Sequence, residues 1–141
     1  MTDTANEVRG EVDLTLDGTQ FVLRPSHTAM IAIEKATGKS CLALAGLAHD
    51  GEITLGDATI ITTEMIKAWG VSRNDPVASN VDAQRIGELI HEFGLMKVVM
   101  RIALVLTNAV TGGVKADGTP KEGEVMAAPG TIEIPGAAEP E

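Results

Sequence analysis

Hydrophobic residues first alternate with polar ones along this chain, then settle into a helical period. Residues 11–16 read Glu-Val-Asp-Leu-Thr-Leu and place Val12, Leu14 and Leu16 on one face, which predicts a half-buried strand. Asp17-Gly18 follows, a strong signal for a two-residue hairpin turn. Residues 19–24 return as the second strand, with Phe21 and Leu23 on one face. A lone hairpin is marginal in water, so it must lie on the helices that follow.

Pro25-Ser26 breaks the strand and opens a helix over 27–36, with Met30, Ile33 and Ala29 inward. Gly38 suits its C-terminal end. Ser40 caps a second helix over 41–48, and Asp50-Gly51 forms a loop. Ile53 and Leu55 lie in a link of ambiguous type. Asp57 is the expected cap of a third helix over 58–69, whose stripe is Ile61, Met65, Ile66 and Trp69, with Gly70 as its stop. Residues 71–81 read as a loop around Asp75-Pro76. Asn80 or Asp82 caps a fourth helix, where Ile86, Leu89, Ile90 and Phe93 fall at i, i+3, i+4 and i+7. Gly94 interrupts. A fifth helix, 95–111, is apolar on most sides and is expected to be central, with Lys97, Arg101 and Asn108 marking its exposed edge.

The expected fold class is therefore α+β: an N-terminal β-hairpin packed on a four- to five-helix bundle. Residues 10–111 form one domain, and residues 1–9 a flexible N-terminus. Residues 112–141 are rich in Gly, Pro, Ala and Glu, and carry Asp117, Glu122, Glu124, Glu133, Glu139 and Glu141 against Lys115 and Lys121. Such a composition predicts a disordered acidic tail. Within it, Thr131-Ile132-Glu133-Ile134 alternates and could pair with an open strand edge on binding.

Composition narrows the function. The chain of 141 residues is 44% hydrophobic, yet Phe21, Trp69 and Phe93 are its only aromatics, so the core is aliphatic. A net charge of −9 with scattered Lys and Arg argues against nucleic acid, whose phosphates demand clustered cations. One cysteine, Cys41, points to a reducing compartment. Residues 1–11 have no apolar segment of the signal-peptide kind, and the apolar run 95–110 is too short and too charged to span a bilayer.

Candidate chemistry is thin. A nucleophilic Cys41 would need a base such as His49 or His91 and an electropositive, partly exposed setting, whereas its neighbours Leu42, Ala43 and Leu44 favour a buried structural thiol. His27, His49 and His91 are too far apart for a local metal motif. Glu88-x-x-His91 shares a helix face, but a di-iron site needs a second such pair, and none exists. Ser26-His27 lacks a Gly-x-Ser-x-Gly elbow, and no phosphate loop is present. A non-enzyme without metal or cofactor is expected. The candidate partner-binding residues are Trp69 and the stripe Ile86, Leu89, Ile90 and Phe93, each weighed against plain core packing.

One resemblance adds to this. Arg9-Gly10-Glu11-Val12, a strand ending Leu16-Asp17-Gly18, the return strand Phe21-Val22-Leu23-Arg24, the helix Ala32-Ile33-Glu34-Lys35-Ala36-Thr37-Gly38, Leu42-Ala43, Gly51-Glu52-Ile53 and the close Ala68-Trp69-Gly70 together resemble the small tail proteins of gene transfer agents and siphophage-like elements. That family is often labelled tail tube protein. The resemblance covers residues 8–70 and, loosely, the next helix. It implies tail morphogenesis in the bacterial cytoplasm, as an assembly chaperone for the tape-measure protein before tail tube subunits replace it. Homo-oligomers are possible partners. A structural tail component retained in the particle is the alternative implied. A small metal- or thiol-dependent enzyme using Glu88, His91 or Cys41 is the remote alternative from a different class.

Overall fold

The computed structural model describes Ala5 and residues 10–112; the expectations for residues 1–4, 6–9 and 113–141 lie outside them. Strands β1 (Val12–Leu16) and β2 (Thr19–Leu23) form a two-stranded antiparallel sheet. Six helices follow: α1 (His27–Thr37), α2 (Cys41–His49), α3 (Leu55–Ser72), α4 (Pro76–Ser79), α5 (Ala83–Phe93) and α6 (Leu95–Thr111). The class is α+β, as the pattern predicts. The sixth helix is α4, a single turn inside the expected loop, started by Pro76 and capped by Asp75.

The hairpin turn has positive φ at both Asp17 (51°) and Gly18 (77°), the type I′ geometry whose twist matches the strands. Val12 faces Leu23 and Leu14 faces Phe21 across the ladder. Val12, Leu14, Leu16, Val22 and Leu23 are all buried. Val22 lies on the opposite side of the pleat from Leu23, so both sides of β2 are covered. The sheet is tied to the helices by the Arg24 N–H donating to the Met65 carbonyl at 3.1 Å.

Capping residues set the helix starts. Ser26, Ser40, Thr54, Asp75 and Asp82 each accept a backbone N–H of the first turn. Two expectations for α3 are corrected. Its cap is Thr54, three residues before Asp57, because the Asp57 carboxylate is instead engaged by the Lys39 ammonium at 2.8 Å. Gly70 is not its stop: the helix continues to Ser72. A Cβ on Gly70 would lie 2.3 Å from the Ser79 nitrogen and 2.7 Å from the Ala78 carbonyl carbon. The glycine lets α4 press its backbone against α3.

The centre of the molecule is α3, not α6. It meets α1, α4, α5, α6 and β2 and buries Ala58, Ile61, Thr62, Thr63, Met65, Ile66 and Trp69. Its sides are clothed in small and β-branched residues, which admit neighbours all round. Helix α6 buries only one side, Val98, Val99, Ile102, Val105 and Leu106, chiefly against α2. Between α5 and α6 the chain bends by 114° at Gly94, whose φ and ψ are both 113°. No single helix among the described residues is long and apolar enough to cross a membrane.

Candidate functional site

Cys41 opens α2, beside the C-terminal end of α1. The residue is only half-buried, less than the buried setting expected of it. Its backbone N–H donates to Glu34 Oε2 at 2.9 Å, and its thiol faces the Met30 carbonyl at 3.8 Å. Desolvation, then the Glu34 carboxylate, pushes the thiol up to about 11. The same backbone bond holds the Glu34 carboxyl below its ordinary value. An anion beside a thiol opposes the thiolate, so this is the reverse of an activated nucleophile. Nothing here brings His49 or His91 to Cys41.

Among the described residues, no group of three or more His, Cys, Asp and Glu side chains is placed to hold a metal ion. Glu88 and His91 are both exposed and flank an open groove where α5 meets the start of α3. Glu88 instead accepts from Gln84 at 3.2 Å and lies 3.6 Å from Arg85.

Each candidate partner-binding residue takes its place in or against the core. Ile86, Leu89 and Ile90 are buried, and Phe93 is half-buried against them, with the Lys97 ammonium 5.6 Å from its ring centroid. Trp69 is 6% exposed, in a wall with Phe21, Val22, Ile66, Ala78 and Val81, and the Arg73 guanidinium lies 5.6 Å from its ring centroid. Core packing therefore describes Ile86, Leu89, Ile90 and Trp69, while Phe93 keeps part of its surface exposed.

An exposed apolar stripe lies elsewhere, on α6, while Leu42, Val71 and Val77 are exposed at other points of the surface. On α6, Met96 is 62% exposed, Met100 67% and Leu104 47%. Spaced four apart, they form one continuous stripe on the side opposite Val98, Ile102 and Val105. Lys97, Arg101 and Asn108 run along one margin of the stripe by the same helical count. Helix α6 contains no carboxylate. Beyond that margin a groove of about 320 Å³ separates α6 from β1, lined by Arg101, Leu104 and Asn108 on one side and Glu11, Val12 and Asp13 on the other. Its carboxylates are engaged: Glu11 with Arg24 at 2.8 Å, and Asp13 with Gln20 at 3.2 Å. Asn108 closes one end by donating to the Gly10 carbonyl at 3.3 Å.

This stripe was legible in principle. Met96, Met100 and Leu104 keep the i, i+4, i+8 spacing, but in a helix apolar on most sides nothing in the pattern says which apolar side is outward. Lys97, Arg101 and Asn108 mark one boundary of the open side rather than its middle. Comparison of the chain with family models, with curated proteins and with solved structures gave no match.

Proposed function

We propose that this protein is a non-enzymatic assembly module of a phage-like tail, a chaperone that shields apolar helices of the tape-measure protein. The observation that carries the reading is the open Met96–Met100–Leu104 stripe on α6. Stripes of this spacing are complementary to an amphipathic helix, and flexible thioethers adapt to varied partners. A net charge of −9 favours solubility while the stripe is exposed.

Magnitudes favour a transient contact. Covering a fully exposed Met or Leu gives about 1.5–3 kcal/mol, so three partly exposed ones give roughly 3–5 kcal/mol. That barely reaches the lower part of the cost of association, about 4–15 kcal/mol. One stripe alone would grip weakly, and many copies along a repetitive helical partner would hold by number and still release.

Strand content supports the chaperone over the tube subunit. A tube subunit contributes sheet to a continuous channel wall, and the described residues offer one hairpin of two five-residue strands. The test is co-expression with the tape-measure protein of the same element, followed by size-exclusion chromatography with light scattering and electron microscopy. The expected result is a soluble complex with the wild type, and an insoluble tape-measure protein with M96E/M100E/L104E. Equal solubilisation by the triple variant, or rings of this protein stacking into hollow tubes, would overturn the reading.

A further inference from the structure

We infer that residues 131–134 of this same chain, Thr-Ile-Glu-Ile, are the resting occupant of the α6 stripe. The chaperone would then carry its own competitor, and this regulatory role rests on the function proposed for that face.

Charge selects among occupants. Helix α6 carries Lys97 and Arg101 and no carboxylate of its own. Across the groove Glu11 is paired with Arg24, and Asp13 accepts from Gln20. On the helix itself the charge is therefore positive and favours an acidic partner. A second copy docked face to face would bring four like charges together. From Glu122 to Glu141 the chain has five carboxylates, Glu122, Glu124, Glu133, Glu139 and Glu141, and no Lys or Arg. Within that run Ile132 and Ile134 stand two apart, so an extended backbone turns both to one side.

Length selects as well. The segment continues directly from Thr111, the end of α6. The way back from there to Met96 is about 22 Å at 1.5 Å per residue. Some twenty residues connect Gly112 to Ile132, and a Gly-rich linker of that length has a root-mean-square span of about 25 Å. Effective concentration is highest when span and distance match, and reaches about the millimolar range. A contact too weak to join two molecules can therefore close within one.

The test is paramagnetic relaxation in the full chain with methyl-labelled methionine. A nitroxide is placed by A137C in a C41S background, and the spectrum is compared with that of the reduced label. At a local affinity equal to a millimolar effective concentration, the tail is docked about half the time. Met96 and Met100 are then expected to broaden strongly, and I132S/I134S, which keeps the same tether, should restore them. No broadening, or broadening unchanged in I132S/I134S, overturns the inference. So does broadening when the nitroxide sits on a separate, isotope-free chain, which would make a second copy the occupant. A half-docked tail also doubles the apparent dissociation constant for the tape-measure protein, so I132S/I134S should capture it about twofold more tightly. Failure of the wild type to capture it would sink the chaperone reading but leave the methyl spectra as evidence on the tail. Absent broadening with capture intact would sink only the tail.

Discussion

Two neighbouring groups, Glu34 and Cys41, define the titration behaviour of the α1–α2 corner. The Glu34 carboxyl is lowered because it accepts the Cys41 N–H, so its contribution to stability is present above the unfolded carboxylate value. It is lost as pH falls through the folded value. The Cys41 thiol is raised from 9.0 to about 11, so its contribution is present below 9 and lost as pH rises from there through about 11. The urea midpoint of the wild type should therefore sag at both ends, and C41A should lessen the alkaline sag while E34Q lessens the acid one. A rise of two units also means about a hundredfold less thiolate at neutral pH. Alkylation of native Cys41 by iodoacetamide at pH 8 should be at least tenfold slower than that of a cysteine peptide, even after allowing for the greater nucleophilicity of a more basic thiolate. Gly70 is a second residue-scale test. Since a methyl there would sit inside the α4 backbone, G70A should cost about 1–3 kcal/mol in chemical unfolding, the range for overpacking. An unchanged midpoint would mean that α4 does not press on α3.

At the scale of elements, what could be read from the sequence was whatever local chemistry decides. The hairpin needed only alternation and Asp17-Gly18, and the starts of α1 and α2 needed Ser26 and Ser40; for α5 the sequence offered Asn80 or Asp82, and Asp82 is the cap. What was not legible depended on contacts made at a distance. Asp57 looked like a cap, but Lys39, eighteen positions earlier, takes its carboxylate, and Thr54 caps instead. T54A should therefore cost about 1 kcal/mol in thermal or urea unfolding, with Asp57 unable to substitute. Gly70 looked like a stop because its true reason, the approach of α4, lies outside its own helix. Helix α6 looked central because it is rich in apolar residues, whereas burial depends on how many neighbours an element has. The α6 stripe was missed on the same ground: the amphipathic pattern of α5 buries Ile86, Leu89 and Ile90, and an exposed apolar stripe lies instead on α6, a helix apolar on most sides.

For the whole molecule, the open stripe and the core are separable. Surface changes away from caps and packed sites usually move stability by no more than about 0.5 kcal/mol. M96E/M100E/L104E should thus leave the thermal transition within a few degrees of the wild type while abolishing tape-measure solubilisation. A variant that unfolds instead would assign those side chains to the core. The division of labour also places the only indole of the chain at the junction of β2, α3 and α4, in a wall to which α6 contributes nothing. With one Trp and no Tyr, near-ultraviolet absorbance and emission both come almost wholly from Trp69. Its fluorescence is therefore a private channel for that junction. It should shift to the red when α4 lifts away, and stay constant while a partner or the tail comes and goes on α6.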